Sequence, residues 1–344
     1  MNVKWMLKRI KNLNFSRIPT FVERVHKNSG KYKLSIYFDM ATCALKYGAG
    51  YVDYTIFGMY DMSADERRQL ITREKNNNYV KYLNPAEYRR EFSEKHLFLS
   101  KYRNQIGRDW LYLPDADDSK IAAFFEKNPV FMAKTLDGMC GKGIEKLKVA
   151  DFGSVEELKA KLEADNQPLV EEFITQHPDI SRIHPHAINT VRICTLKDAY
   201  GNAHIVFACM RFGRGESTVD NFNAGGMSAV VDFEKGVLMG RAIDKSGNLF
   251  AAHPDSNVTF DGVEIPFWKE AAETVLTAAK MSEHIRYIGW DVAITPNGPV
   301  LVEGNEFPGH DLFQLHGQLD ENKGILPVFD AIVPYSEVKK GIKK

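Results

Sequence analysis

Apolar spacing divides the chain into two styles. Up to about residue 110 the intervals are helical. KLSIYFDMATCALKYG, residues 33–48, predicts one helix that ends on Gly48 as a C-cap. Ser63-Ala64-Asp65-Glu66 predicts a cap opening the helix DERRQLITREKNN, and NPAEYRREFSEKHLFLSKYRNQIG continues in the same style. Tyrosine and phenylalanine are dense here, as on helices that cover a neighbouring domain. The first stretch, MNVKWMLKRIKNLNF, sets Trp5, Met6, Ile10 and Leu13 on one side of a helix and Lys4, Lys8, Arg9 and Lys11 around the rest. Such a helix packs on its own domain, docks a partner or lies on an anionic membrane surface.

From about residue 128 the pattern becomes strand-like. PVFMAK, KLKVADF, QPLVEEFI, NTVRICTLKD, AHIVFACMRFG, SAVVDFEKGVLMG and GWDVAITPNGPVLVEGN all read as strands. Two helices interrupt them, SVEELKAKLEAD and PFWKEAAETVLTAAKMSEH. Long strands with few helices between predict a largely antiparallel α+β fold. The terminal KKGIKK reads as a solvated tail.

Composition narrows the class. The 344 residues are 44% hydrophobic and 26% charged with zero formal net charge, an ordinary globular balance that gives no reason to expect a nucleic-acid partner. Cys43, Cys140, Cys194 and Cys209 lie far apart without ligand spacing, so they read as buried free thiols in a reducing compartment. No apolar run approaches the ~18 residues of a spanning helix, and the N-terminus lacks the apolar core of a secretory signal. A cytoplasmic location is expected.

The chemistry concentrates in four places. In GWDVAITPNGPVLVEGN, a three-residue turn Pro296-Asn297-Gly298 would set Val292 opposite Val302 and Ile294 opposite Val300. Asp291 then faces Glu303, and Asn305 shares their face. Two carboxylates and a carboxamide so close require a cation, and hard oxygen donors favour Mg²⁺ or Mn²⁺. A solvated polar face is the alternative. AKTLDGMCGKGI follows a strand and carries Gly138, Gly141 and Gly143 between Lys134 and Lys142, a phosphate cradle or a glycine-rich hairpin turn. It fits neither the P-loop nor the dinucleotide fingerprint. PLVEEFITQHPDI ends a strand on Glu171, Glu172, Phe173 and Ile174 before a polar turn with Asp179; its edge suits an adenine and its acid a ribose, or it is an ordinary strand and turn. In HPHAINTVRICTL, Asn189 and Arg192 open a strand, where an arginine neutralises charge on a transferring phosphoryl group or makes an ordinary salt bridge.

In this order the four pieces resemble the ATP-grasp superfamily, in which ATP sits between two α+β subdomains. The resemblance runs from about Glu94 to Gln318. It is closer to the sugar-transfer-associated branch, often found with polysaccharide biosynthesis, on FDMATCALKYGAGYVDYTIF, ITQHPDISRIHPHAINTVRICT, VDNFNAGGMSAVVD and GWDVAI…EGNEFPGHDLFQ. It implies a mainly helical region over 1–110 and an ATP-grasp region over 111–344. The latter would have a nucleotide-binding part at about 120–180 and a metal and acceptor part at about 181–320.

By resemblance, Lys134 and an earlier lysine, Lys95 or else Lys101, would meet the nucleotide, and the loop carrying Gly138, Gly141, Lys142 and Gly143 would cover its β- and γ-phosphates. Glu171, Glu172, Phe173 and Ile174 would form the adenine hinge, with Asp179 on the ribose and Asn189 nearby. Arg192 would meet the γ-phosphate, and Asp291, Glu303 and Asn305 would hold Mg²⁺ or Mn²⁺. Arg211, Arg214 and Arg241 would receive a carboxylate or acyl phosphate, the loop 220–226 would close over the acceptor, and His310 and Asp311 would assist amine deprotonation. Salt bridges and turns explain these residues equally well.

The expected activity is an ATP-dependent carboxylate–amine ligase acting through an acyl phosphate, joining an amine to a small-molecule or glycan-linked carboxylate. A sugar or small-molecule kinase is the alternative on this fold. A third reading is a nucleotide-binding partner of membrane glycosyltransferases, docked at the membrane periphery through the basic N-terminal helix.

Overall fold

Residues 15–136, 143–319 and 324–343 are described by the computed structural model. The basic stretch 1–14, with Gly138, Cys140, Gly141 and Lys142, lies outside them. The first part is helical: α1 (Ile18–Ser29), α2 (Lys33–Tyr47), α3 (Tyr51–Ile56), α4 (Ala64–Gln69), α5 (Arg73–Leu83) and α6 (Lys95–Lys101), with shorter turns between. Gly48 caps α2 with φ +70°, in the left-handed region that glycine adopts without a Cβ penalty.

Ser63 caps α4 through a capping box with Glu66. The single helix expected after this cap is instead two, because the chain breaks at Leu70–Thr72. Leu70 and Ile71 both turn fully inward there. The freed backbone groups find partners: Lys75 Nζ donates to the Leu70 carbonyl at 2.6 Å, and the Ile71 amide donates to Gln314 Oε1 at 2.8 Å.

Two antiparallel sheets follow. The smaller has the order β1 (Trp110–Tyr112), β4 (Leu169–Glu172), β2 (Val130–Lys134), β3 (Ile144–Lys148). Helices α7 (Asp118–Lys127) and α8 (Val155–Ala164) cover it around Phe124, Phe125, Phe131, Leu158 and Val170. β1 and α7 are additions to the elements expected from the sequence.

The larger sheet has seven strands. Their order is β11 (Gly298–Asn305), β10 (Tyr287–Thr295), β5 (Thr190–Lys197), β6 (Ala203–Phe212), β7 (Met227–Asp232), β8 (Val237–Asp244), β9 (Leu249–Phe250). Both faces are covered. Ile193, Met210, Trp290 and Val292 pack with α9 (Trp268–Met281), while Cys194, Phe207, Cys209 and Tyr287 pack with the N-terminal helices. Alternation along the strands therefore sends Arg192, Arg211 and Asp291 to the N-terminal-helix side.

The hairpin β10–β11 departs from the expected register. Its turn has two residues, Pro296 and Asn297, because Thr295 pairs with Gly298. Val292 faces Leu301 and Ile294 faces Pro299, so neither expected valine pairing forms. Asp291 nonetheless pairs with Glu303, because the register shifts between Asp291 and Val292 and Val302 is the extra residue. The bulge changes parity. Leu301 faces the apolar layer under α9, yet Glu303, two residues on, faces Asp291.

Aromatic rings hold this hairpin from outside. Phe92, Phe98 and Tyr102 pack on the fully buried Trp290, whose Nε1 donates to Thr195 Oγ1 at 2.8 Å. A Cβ on Gly304 would lie 2.8 Å from both Phe92 Cε1 and Phe98 Cε2. Gly304→Ala should therefore destabilise the protein by roughly 1–3 kcal/mol through overpacking. Urea unfolding checks this; an unchanged midpoint would mean that the rings yield without cost.

Candidate functional site

Strand register builds the centre of the site. Asp291 sits directly opposite Arg192 of β5 on one side and Glu303 of β11 on the other. Arg192 grips it with Nε on Oδ1 and Nη2 on Oδ2, the latter at 3.0 Å. Arg211, one strand further, donates to Asp291 Oδ2 at 2.8 Å and to Thr190 Oγ1 at 2.6 Å. Thr190 in turn donates its amide and hydroxyl to Asp220 Oδ2, at 2.9 and 2.6 Å. Opposite charges thus alternate along the contacts Arg192–Asp291–Arg211–Asp220. By strand, two carboxylates on β11 and β10 lie beside two guanidinium groups on β5 and β6.

Electrostatics follows this chain. Burial pushes the Asp291 carboxyl up, but the Arg192 and Arg211 charges outweigh it and hold it well below the usual carboxylate range. Burial and the Asp291 carboxylate push Glu303 up to about 7, against the two arginines. Glu303 stands deep among protein groups yet keeps an exposed side, and Asn305 Nδ2 donates to its Oε1 at 3.3 Å. The expected triad is therefore assembled. The cations that balance its carboxylates within the chain are two guanidinium groups, which the sequence reading had not linked to Asp291.

Fit to a divalent cation can be judged from the donors. Asp291 already accepts three charged hydrogen bonds, so Glu303, with its open side, and the Asn305 amide are the groups best placed to add a hard cation. Among the described residues no cluster of three or more His, Cys, Asp or Glu side chains has metal-holding geometry.

The smaller sheet carries the lysine side. Lys134 Nζ lies 2.8 Å from Glu171 Oε1, and Glu171 Oε2 accepts from Arg108 Nε at 2.8 Å. Burial alone would raise Glu171, and the Arg108 and Lys134 charges overcome it and hold the carboxyl at about 2. Lys95 Nζ donates to the carbonyls of Thr135 and Leu136, at 3.0 Å each, where β2 leaves the sheet. Gly143 closes that hairpin at φ +70°, and a Cβ there would lie 2.4 Å from Thr135 Oγ1.

Several expected roles change. The Glu171 side chain is spent on Lys134 and Arg108, and Glu172 Oε2 accepts the Asp109 amide at 2.9 Å. Glu171 is buried, and a buried acid needs its own partners, whereas Glu172 is half-buried. Phe173 and Ile174 are half-buried just past β4, with Lys146 Nζ 3.7 Å from the Phe173 ring centre. Asn189 is fully buried. Its side chain donates to Gln176 Oε1 and the His184 and Ala187 carbonyls and accepts the Gly213 amide, so it clamps loops and offers nothing to a nucleotide. Asp179 is exposed in the short turn Pro178–Ser181, against His177. Arg214 pairs with Asp244 at 3.3 Å.

Two functional candidates were not anticipated. Arg108, its side chain 2% exposed, joins the sheets: besides Glu171 it donates to the Leu301 carbonyl at 2.7 Å and the Val302 carbonyl at 3.3 Å. The second is Asp53 of α3, which holds His310 Nε2 at 2.8 Å and also accepts the Arg73 amide at 2.8 Å. Arg108 stands in none of the quoted motifs, whereas Asp53 lies within FDMATCALKYGAGYVDYTIF, where no role was assigned to it.

Glu171→Gln leaves Arg108 and Lys134 buried without their counter-charge, and should cost about 3–5 kcal/mol at neutral pH. A depressed folded-state pKa contributes stability above the unfolded value near 4.3 that is lost as pH falls toward about 2. Chemical denaturation at several pH values should therefore show the gap between wild type and variant shrinking over that window. A gap of constant size would remove Glu171 from the ion network.

Among the described residues no helix is long and apolar enough to cross a membrane. Solved structures similar to the chain include the ATP-grasp ligase PsnB complexed with minimal precursor, at 16% identity and TM-score 0.44 over 74% of this chain and 64% of that one. D-alanine–D-alanine ligase from Coxiella burnetii follows at 12% identity, TM-score 0.36, 73% and 56%. N5-carboxyaminoimidazole synthetase from Staphylococcus aureus complexed with ADP stands at 10%, 0.40, 68% and 53%. The chain thus spans less than two thirds of the length of each. No curated protein matches it. A family model described as sugar-transfer associated ATP-grasp matches residues 74–328. Matched over that span, well over half of its length, the chain belongs to the sugar-transfer associated ATP-grasp family.

Proposed function

We propose that this protein is an ATP- and Mg²⁺-dependent carboxylate–amine ligase acting through an acyl phosphate. The observation that carries the reading is the pair Arg192 and Arg211, fixed on Asp291 beside the open side of Glu303. Phosphoryl transfer asks a protein for positioning and charge neutralisation rather than for a covalent nucleophile. The neighbouring thiols agree: burial pushes Cys194 up to about 12 and Cys209 up to about 11, which leaves no thiolate at neutral pH.

Roles follow from place. Lys134 of β2 and Lys95 of α6, whose Nζ reaches the end of β2, meet the nucleotide, and residues 171–174 lend backbone at the adenine. Arg192 and Arg211 steady the phosphoryl oxygens while a substrate carboxylate oxygen bonds to the γ-phosphorus and ADP leaves. The amine nitrogen then bonds to the acyl carbon, phosphate departs and the amine yields a proton. Asp53 holds the His310 ring by Nε2, which suits the imidazole to take that proton. Asp291, Glu303 and Asn305 would hold Mg²⁺, with Mn²⁺ as a substitute, and the ion would neutralise phosphate charge.

The family supports an acceptor linked to sugar transfer, and the carboxylate of a sugar or polysaccharide precursor is the substrate class we infer. Kinase action with a hydroxyl acceptor differs in one product. Incubation with ATP, Mg²⁺ and pooled acids and amines should release ADP and free phosphate only when both acid and amine are present. Phosphorylated product without free phosphate would replace the ligase by a kinase, and calorimetry without ATP binding would remove both.

Glu303→Gln should lower turnover at least about a hundredfold, in the range seen when one transition-state charge partner is lost, with the melting temperature kept. Undiminished turnover would take Glu303 out of the site. His310→Ala should slow the amine-dependent step about 10²-fold or more and spare ATP binding. A loss confined to nucleotide affinity would place His310 elsewhere.

A further inference from the structure

The N-terminal helices carry a surface that the candidate site does not use. Helix α2 is apolar on two opposite sides. Ile36, Met40 and Cys43 are buried in the core. Two positions away, about 200° around the helix, Leu34, Phe38, Ala41 and Leu45 form a second stripe that faces solvent. Tyr37 stands beside it and Tyr32 just before it. Leu34 and Phe38 are each 69% exposed and Tyr32 is 85% exposed. A helix apolar all round belongs inside something, and a contiguous exposed patch of this kind marks an interaction surface.

Charge identifies what fits. Between Arg17 and Tyr47 there are six lysines and arginines against two acids, in a chain whose total is neutral. Both acids are engaged, Glu23 with Lys33 at 2.5 Å and Asp39 with Arg67 at 2.7 Å. Arg17, Lys27, Lys33 and Lys46 are exposed on α2, on α1 packed beside it, and on the turn before α1. A second copy docking here would bring two basic faces together, which costs energy. Apolar and tyrosine side chains framed by cations instead match a surface with an apolar interior and anionic headgroups.

We propose that this face of α2 docks the protein on an anionic lipid bilayer. Leu34 and Phe38 enter the acyl boundary, Tyr32 and Tyr37 sit at headgroup level, and Arg17, Lys27 and Lys46 meet lipid phosphates. The contact is peripheral and reversible, and it leaves the carboxylate and arginine cluster on the large sheet free.

Flotation of the full chain with vesicles of phosphatidylcholine, alone or with about 30% phosphatidylglycerol, tests this directly. Binding to the anionic vesicles should be at least about tenfold tighter and should weaken in about 0.5 M salt, as headgroup attraction by several cations requires. The double variant Leu34→Asp, Phe38→Asp should lose about tenfold or more of that binding. Both side chains are exposed, so its melting temperature and ATP affinity should match wild type. Equal binding to neutral and anionic vesicles would overturn the proposal, as would binding that survives the double substitution. A wild-type dimer in light scattering that the double variant abolishes would assign the face to a second copy instead.

Discussion

One residue too many in β11 governs the site. With Val302 in regular register, Glu303 would share a face with Leu301 and enter the apolar layer under α9. A carboxylate there would have no partner, at a cost of several kcal/mol. The bulge turns it toward Asp291 instead. It also leaves the Leu301 and Val302 carbonyls to accept from Arg108. The same guanidinium holds Glu171, and Glu171 holds Lys134. A local irregularity in one sheet is thereby tied to the position of a lysine in the other.

The ion pairs on the large sheet have a different logic. Buried pairs such as Arg192–Asp291 contribute little net stability, since desolvation consumes most of the attraction. Their value lies in fixing direction. Asp291 accepts from both arginines, so both guanidinium planes are set in advance, which would spare reorganisation in the proposed phosphoryl transfer. Glu303 remains the adaptable member. It has no guanidinium of its own, it lies beside a carboxylate, and it keeps a side open to solvent.

How much of this was legible depends on the range of the interaction. Strand and helix periods come from neighbours in sequence, so most strands expected from residue 128 onward and both later helices appear where the pattern put them. The strand expected over KLKVADF, however, ends at Lys148, and Val149–Asp151 forms a tight turn. The facing of Asp291 and Glu303 was also expected, but by a register that does not occur. The turn is one residue shorter and the bulge compensates. Neither feature leaves a mark in apolar alternation, because Val302 looks like any strand valine. Asn189 misled for a related reason. A polar residue at the head of a strand suits a ligand as well as it suits a loop clamp, and only the carbonyls of His184 and Ala187 decide between them. Arg108 was invisible because its partners lie about 60 and 190 residues away, and no spacing rule spans such distances.

The N-terminal helices are part of the site rather than an appendage. Asn84 Nδ2 donates to the carbonyls of Tyr287 and Glu306, at 2.6 Å each, and Asn76 Nδ2 to that of Pro308 at 3.1 Å. Asp53 holds His310, and the Ile56 carbonyl accepts the His316 amide at 2.8 Å. The segment after Asn305 therefore takes its path from helices that precede the smaller sheet. Under the proposed ligase reading, the nucleotide side meets one ligand, so its chemistry recurs as short motifs. The acceptor side must match whichever acid and amine are joined, and it would rest on side chains of a helical layer meeting a loop more than 200 residues later. Substrate choice would then be a property of that contact.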